Sequence, residues 1–337
     1  MSFGFTLLII ITALILFFLE LFVLFREGTY ITWTQTLLNL SLGFFDRLVG
    51  LYLTERTLVL FDATFQYRFF NLPEGILTGI LCFILLDVIW YIFHRSSHRI
   101  SVIWGIHLVH HQSDEFNLSV NFALSPMGFM LRSVMYSSLV LLGFPVEYVA
   151  VCGYLNAFYQ YYLHTEFIST FPWLEKVFVM PNHHKVHHAS NEAYLDKNYG
   201  GVFIVWDKLF DSYAPYEEKP RYGLTTPLPH KDFLNIQLFF FKKLWINFSK
   251  YGFRRGLSLL FLGPEHQDSD VPRFLPITTQ MSVWKVVAGI IIYLVSYSYL
   301  MFIEDLSLMF VIVGLNFMAI ILVNGLKLDF SSKTTRT

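Results

Sequence analysis

Long apolar segments constrain the fold of this chain more than any other feature of its sequence. Apolar residues run almost without interruption through Phe3–Phe25, Ile76–Phe93, Met127–Phe167, Val283–Ile303 and Leu306–Asn324. About 20 such residues in a helix cross the roughly 30 Å hydrocarbon core of a bilayer. Only 15% of the chain is charged, whereas soluble domains carry about 25%. The sequence therefore predicts an all-α fold, a bundle of several membrane helices.

Turn signals and polar stretches divide the chain further. Gly143-Phe144-Pro145 interrupts the segment from Met127 to Phe167, so that part is predicted to form a helical hairpin. The mixed stretch from Thr36 to Leu60 either crosses the membrane or lies in its interface. A polar stretch from about 169 to 273 is predicted to cap the bundle. The predicted divisions are 1–72 for N-terminal membrane or interfacial helices, 73–273 for the central hairpins with the cap, and 274–337 for a C-terminal hairpin and tail.

The distribution of charge predicts an orientation. The short loops around Glu147 and Glu304-Asp305 contain acids and neither Lys nor Arg, and the basic residues flank the opposite helix ends. Because Lys and Arg are enriched on the cytoplasmic side of membrane proteins, the cap and its histidines are predicted to face the cytoplasm. A bacterial inner membrane and the endoplasmic reticulum both stay open as locations. The net charge of −1, without a basic stripe, argues against a nucleic-acid partner.

Ten of the twelve histidines lie between His94 and His188, most of them in three clusters. Residues three or four positions apart share one face of a helix, so each cluster is predicted to project its imidazoles together. The clustered residues are His94 and His98; His107, His110 and His111; and His183, His184, His187 and His188.

This number of imidazoles predicts a site for two metal ions. Imidazole binds iron, copper, nickel and zinc, and eight or more imidazoles exceed the four ligands of a zinc site. The sequence has no H-E-x-x-H motif, which argues against a zinc protease, and clustered histidines do not suit a bis-histidine haem. A membrane protein for metal transport or storage remains an alternative, although transporters tend to spread their ionisable ligands along a path near the midplane.

His164 is predicted to be a further ligand. It follows Asn156 and Gln160 at intervals of four residues in an apolar segment, and polar residues in such segments usually face the protein interior. Glu166, two residues further, is predicted to support the ligands as a neighbouring acid.

Asp87 is predicted to have a similar supporting role. It precedes His94 by seven residues and therefore lies on the same helical face. A buried carboxylate needs a partner, and the predicted one is the second ring N–H of a metal-bound histidine. An ion pair with Arg132 is the alternative.

Seven short motifs follow one another between residues 90 and 225. They are Trp90–His98, His107–His111 with Asn117-Leu118-Ser119, His164-Thr165-Glu166, His183–His188, Asp196–Gly201, Trp206-Asp207-Lys208 and Tyr222–Thr225. In this order they resemble the fatty acid hydroxylase/sterol desaturase superfamily. One departure is Arg99 directly after the first cluster, where the resemblance predicts Glu. Taken alone, Asp196–Gly201 and Trp206–Lys208 favour a turn and its packing over a catalytic role.

The resemblance implies an O2-dependent oxidoreductase with two irons in a histidine cage, which hydroxylates a C–H bond of a lipid within the membrane. It implies that residues 73–273 form the catalytic domain. The later motifs are similar to the branch that cleaves ether-linked glycerolipids with a tetrahydropterin, such as tetrahydrobiopterin, as reductant. Other branches act on sterols, fatty acyl chains or carotenoids and take electrons from other carriers, so the substrate and the electron donor stay open.

Overall fold

The helical class predicted from the sequence is confirmed for the part of the chain that the structure, a computed structural model, describes. That part comprises residues 3–26, 33–167, 171–226, 228, 231 and 233–268. It contains no strand, only isolated bridges such as that between Phe178 and Phe203. The predicted C-terminal pair, 283–324, lies outside the described residues. The α-helices are α1 (Phe3–Arg26), α2 (Trp33–Phe65), α3 (Ile76–Arg99), α4 (Ser101–His111), α5 (Pro126–Leu142), α6 (Val146–Leu163), α7 (Pro181–His187), α8 (Val205–Leu209) and α9 (Phe233–Phe261).

The mixed stretch from Thr36 to Leu60 lies within one continuous helix, α2. Its 33 residues span about 50 Å at 1.5 Å per residue, and the helix packs against α5. The charged residues do not interrupt it: Asp46 is buried inside the bundle, and Arg47 is exposed. A helix tolerates both positions, since they fall on different sides of its axis.

The hairpin predicted at Gly143 forms between α5 and α6. Gly143 adopts the left-handed conformation, with φ 107°, which glycine reaches without the penalty a side chain would add. A Cβ at this position would also collide with the carbonyl of Phe70. The hairpin packs on α3 and the end of α2 through an apolar cluster of Phe61, Cys82, Leu86, Leu139, Val140, Phe144, Val146, Val149 and Cys152. Both cysteines are free thiols.

A one-residue corner joins α3 to α4. Ile100 has extended backbone angles (φ −125°, ψ 114°), so α3 ends at Arg99 and α4 begins at Ser101. The Ile100 amide still donates to the Ser96 carbonyl (2.9 Å), and the Ser101 amide donates to that of Leu262 (2.9 Å). This corner holds the first two histidine clusters on adjoining helices.

Among the described helices, α3 is the one long and apolar enough to cross a membrane. Shorter apolar helical stretches occur at Ile15–Leu24 and Pro126–Leu142. The several crossings predicted from the sequence therefore stay a prediction.

The predicted cap contains short helices and one long one. Residues 171–226 form α7, α8 and connecting turns, and α9 packs against α4. α9 is kinked at Gly252, where φ is 73°. Ile236, Phe239, Phe240 and Leu244 of α9 pack on Leu108 and Val109 of α4 in one apolar cluster, so α9 supports the helix that carries the second histidine cluster.

Candidate metal centre

Nine histidines from four parts of the chain meet in the interior of the protein. The end of α3 contributes two, α4 contributes three, the end of α6 contributes one, and α7 with the residue after it contributes three. They form two groups in which one ligand atom from each residue lies within 4.8 Å of all the others. The first group is His94, His98, His107, His111 and His187; the second is His110, His164, His184 and His188.

The Nε2 atoms face one another across each group. In the first group, His107 Nε2 lies 3.0 Å from Nε2 of both His94 and His111, and His111 Nε2 lies 3.2 Å from that of His187. Two nitrogens bound to one ion at about 2.1 Å and at right angles lie about 3.0 Å apart. These separations therefore match neighbouring ligands of a single ion.

The second group repeats this arrangement. His164 Nε2 lies 3.1 Å from His110 Nε2 and 3.0 Å from His184 Nε2, and His184 Nε2 lies 3.1 Å from His188 Nε2. Both groups thus present imidazole nitrogens at the spacing of metal ligands.

Hydrogen bonds on the other ring nitrogen decide the tautomer of three histidines. Nδ1 of His94 lies 2.8 Å from the Tyr199 carbonyl, that of His164 lies 2.8 Å from the Gln160 carbonyl, and that of His187 lies 2.9 Å from the Lys197 carbonyl. A carbonyl can only accept, so Nδ1 carries the proton and the Nε2 lone pair points into its group. Lone pairs that converge in this way repel one another, and a cation between them removes the repulsion. The residues therefore fit a metal ion in each group.

Burial keeps these imidazoles neutral, which is the form that binds metals. It lowers the pKa of His164 to about 3 and that of His187 to about 4. Burial and, second to it, the charge of His164 lower the pKa of His110 and of His184 well below the ordinary range.

His183 lies apart from both groups. Its Nδ1 accepts a hydrogen bond from the Met180 amide (3.1 Å) at the start of α7. Its ring lies 5.7 Å from that of Tyr213. We therefore leave His183 out of the proposed ligand set, because this contact gives it a role in capping α7.

A loop at residues 197–203 supports the first group. It supplies the Lys197 and Tyr199 carbonyls that orient His187 and His94. Asp207 holds this loop: its carboxylate accepts from the Tyr199 amide (2.7 Å), the Gly200 amide (2.8 Å) and Ser212 Oγ (2.7 Å). The motif containing Asp207 is thus structural, as its sequence favours, but the structure that it supports is the wall of the histidine site.

Asp87 also holds this loop. It does not pair with a histidine or with Arg132, the partners predicted from the sequence. Its carboxylate accepts from the Val202 amide (2.8 Å), the Phe203 amide (3.0 Å), Trp206 Nε1 (2.9 Å) and Asn156 Nδ2 (2.7 Å). The predicted partners, a histidine and Arg132, are absent from this set, because four other donors occupy the carboxylate.

Glu166 lies beside the third cluster. Its carboxylate pairs with Lys185 Nζ (3.0 Å) and accepts from the Tyr222 hydroxyl (3.2 Å). The Glu166 amide in turn donates to Glu20 of α1 (3.0 Å). Glu20 is buried and also accepts from the Leu118 amide (2.6 Å) and Thr165 Oγ1 (2.9 Å). This role of Glu20 cannot be predicted from sequence spacing, because Glu20 lies 98 residues from Leu118.

Arg99, at the position where the resemblance predicts Glu, pairs with an acid directly before the supporting loop. Arg99 donates to Asp196 (2.5 Å), and His98 Nδ1 lies 4.0 Å from the same carboxylate. Asp196 has a left-handed backbone, with φ 60°. The Arg99–Asp196 pair therefore joins the end of α3 to the start of the loop beside the first group.

An elongated cavity of about 340 Å³ opens onto both groups. His94, His107, His110, His164 and His184 line one end of it. From there the cavity follows α6 from Gln160 to Val149, about 16 Å along the helix at 1.5 Å per residue. The other lining residues come from α2, α3, α5, α6 and the segment before α5. They are Asp46, Arg47, Thr54, Thr57, Leu58, Phe61, Trp90, Asn121, Leu124, Phe129, Arg132, Ser133, Tyr136, Ala150, Gly153, Tyr154, Asn156 and Ala157. The size is typical of a small-molecule site.

Residues 79–212 match the fatty acid hydroxylase family. The chain is 35% identical to alkylglycerol monooxygenase from Homo sapiens over 233 residues, 68% of this chain and 52% of that relative. It is 33% identical to alkylglycerol monooxygenase from Danio rerio over 241 residues, 71% of this chain and 54% of the relative. Ornithine lipid hydroxylase OlsE from Rhizobium tropici is 24% identical over 143 residues, 40% of this chain and 42% of the relative.

The chain spans about half the length of the alkylglycerol monooxygenases named here. No solved structure matches it. The matched region contains all nine histidines of the two groups, the loop that orients them and both carboxylates that hold that loop. Residues 79–212 therefore belong to the fatty acid hydroxylase family, and the chain around them resembles alkylglycerol monooxygenase.

Proposed function

We propose that this chain is a membrane-bound, di-iron oxygenase that uses O2 to hydroxylate a C–H bond of a lipid. The convergence of nine neutral histidines into two adjoining groups at the end of an elongated cavity carries the proposal. The five residues of the first group exceed the four ligands of a zinc site, which favours an ion with more ligands. Iron bound by these nine residues would supply the activation of O2 and the oxidation of the C–H bond.

The protein's own residues hold and shield the reaction. The carbonyls of Lys197, Tyr199 and Gln160 orient His187, His94 and His164. Burial of the site excludes bulk water, and the cavity brings one carbon of an extended substrate to the histidines and keeps the rest of the chain away.

The relatives favour an ether-linked glycerolipid as substrate. Hydroxylation of the carbon beside the ether oxygen consumes one O2, two electrons and two protons, and it releases one water. The resulting hemiacetal breaks the bond between the oxidised carbon and the original ether oxygen. The hydroxyl proton passes to that oxygen, and the products are a fatty aldehyde and glycerol. A tetrahydropterin is the proposed source of the two electrons.

The apolar surface supports a location in a membrane. α3 has the length and composition of a membrane-crossing helix, and Ile76, Leu77, Ile80 and Leu81 expose their side chains on it. We propose a polytopic protein with the cap facing the cytoplasm, in a bacterial inner membrane or the endoplasmic reticulum. We retain the divisions 1–72, 73–273 and 274–337, with the central one catalytic.

The test is metal analysis of the detergent-purified protein, paired with O2 uptake on hexadecylglycerol plus tetrahydrobiopterin. About two irons per chain, with O2 uptake and release of hexadecanal, are expected. Bound iron with O2 uptake only on a sterol, a fatty acyl lipid, a carotenoid or ornithine lipid would change the proposed substrate but not the reaction class. Zinc alone, with no activity after anaerobic iron loading, would overturn the oxygenase and favour metal transport or storage.

A further inference from the structure

The walls of the cavity carry three charged side chains that the oxidation itself does not need, Asp46, Arg47 and Arg132. Asp46 of α2 and Arg132 of α5 line the same cavity as His94 and His107. The two side chains are near enough to attract each other electrostatically. Charged side chains inside a helical membrane bundle are costly unless they have partners or a function.

Asp46 has a carboxylate oxygen that could accept a hydrogen bond from a ligand. Its side chain is 5% exposed, and its Oδ1 atom has no hydrogen-bond partner among the described residues. An ionised carboxylate only accepts hydrogen bonds, and leaving a buried acceptor unpaired costs free energy. A donor on a molecule in the cavity would satisfy it.

Arg132 lies close to the first histidine group. Its guanidinium carbon is 5.5 Å from the ring centroids of both Trp90 and Phe93. The Trp90 ring lies 5.6 Å from that of His94. Only one aromatic side chain therefore separates the cation from the first histidine group.

This pair of charges selects for a hydroxyl. A carboxylate accepts and a guanidinium donates, whereas a hydroxyl does both. A phosphate or carboxylate headgroup has no donor for the Asp46 carboxylate and would be repelled by it, although Arg47 and Arg132 would attract it. The wall beyond the pair, toward Leu58, Phe61 and Val149, is apolar and suits an alkyl chain.

We infer that Asp46 and Arg132 bind the vicinal hydroxyls of an uncharged glycerol headgroup and hold it beside the histidine groups, with the alkyl chain along the apolar part of the cavity. This inference rests on the proposed function and deepens it. In such a complex the headgroup would lie within a few atoms of the C–H bond that is oxidised, so the pair would determine which lipid reacts.

The test measures binding separately from turnover. Hexadecylglycerol and its dimethyl ether, in which both hydroxyls are methylated, compete with a fluorescent lipid for the iron-loaded protein under anaerobic conditions. Loss of hydrogen bonds to a charged group predicts that wild-type protein binds the diol about tenfold or more tightly than the dimethyl ether. Lysophosphatidic acid, which carries a phosphate, is expected to bind more weakly than the diol.

In the variants Asp46→Asn and Arg132→Met, the ratio of the affinity for the diol to that for the dimethyl ether is expected to fall close to one. Both variants should still bind the dimethyl ether. Asp62→Asn is the matched control, because Asp62 is an exposed acid on the same helix and does not line the cavity. It should keep the wild-type preference.

No preference in wild-type protein, an equal loss of both ligands in the two variants, or tighter binding of the phosphate lipid would overturn the inference. O2 uptake is measured on the same preparations. A wild-type protein that prefers the diol but does not oxidise it would contradict the proposed ether-lipid activity and leave the headgroup site standing.

Discussion

At the scale of single residues, the histidines differ in what holds them. His94, His164 and His187 are fixed by backbone carbonyls. His98 Nε2 is buried without a hydrogen-bond partner among the described residues. A buried imidazole nitrogen without a protein partner agrees with a ligand whose partner is a metal. The two groups therefore combine rigid ligands with ligands that only the ion would fix.

His110→Ala is expected to reduce lipid oxidation by at least about 100-fold and to lower the iron content, because it removes one of the four imidazoles of the second group. Metal analysis and O2 uptake on the purified variant check this. His266→Ala is the control, since His266 lies in an exposed turn outside both groups. A His110 variant with wild-type turnover would remove this residue from the ligand set.

Asp207→Asn is expected to weaken metal retention about 10- to 100-fold, the range found when groups that support metal ligands are changed. Asp207 holds the Tyr199 and Gly200 amides, and Asn would present an N–H to one of them. Burial raises the pKa of Asp207 to about 6, so the wild-type group is a carboxylate at pH 7.5. The measurement is the rate of iron loss to a chelator.

Asp211→Asn provides the comparison for Asp207. Asp211 is exposed and has φ 57°, a conformation that Asn also tolerates. Equal rates of iron loss in the two variants would show that the Asp207 carboxylate does not position the ligands.

At the scale of elements, sequence spacing predicts which histidines share a helix face but not how they divide between groups. His107 and His111 join His94 and His98, whereas their neighbour His110 joins His164 and His184. That division depends on the angle between α3 and α4 at Ile100, which no periodicity reveals. The supporting role of Asp207 is equally hidden, because its carboxylate acts through the backbone of Tyr199 and Gly200, seven or eight residues away. The burial of Asp46 depends on how α2 packs against α5.

For α3, we expect lipid to protect its exposed apolar side. A cysteine at Ile80, on the outer surface of α3, should react slowly with a charged maleimide in intact vesicles. A cysteine at Tyr216, exposed in the cap, should react quickly once the reagent reaches its side. The parent protein, with Cys82 and Cys152 buried, gives the background. Equal, rapid labelling of both positions would contradict a membrane position for α3.

At the scale of the whole molecule, the histidine site makes stability depend on pH. His164 and His187 have pKa values of about 3 and about 4 in the folded protein because of burial, against about 6.5 in an unfolded chain. Between about pH 4 and pH 6.5 the unfolded chain therefore binds more protons than the folded one. The stability that neutral imidazoles contribute above pH 6.5 is lost as the pH falls.

For metal-free protein in detergent, the expected loss at pH 5 is about 2 kcal/mol for each of these two residues, since one pKa unit corresponds to about 1.4 kcal/mol. Thermal unfolding at pH 7.5 and pH 5 measures it. A double variant, His164→Gln with His187→Gln, should lose less stability over the same interval. A wild-type midpoint that does not fall between these pH values would contradict neutral, buried imidazoles.

The corner at Ile100 has a consequence for how this chain can vary in length. An α-helix turns by about 100° and rises 1.5 Å with each residue. Because a single extended residue separates α3 from α4, adding or deleting one residue between His98 and His107 would rotate three imidazoles away from their partners at once. A change of length in this segment would therefore disturb both groups together, since His107 and His111 belong to the first group and His110 to the second.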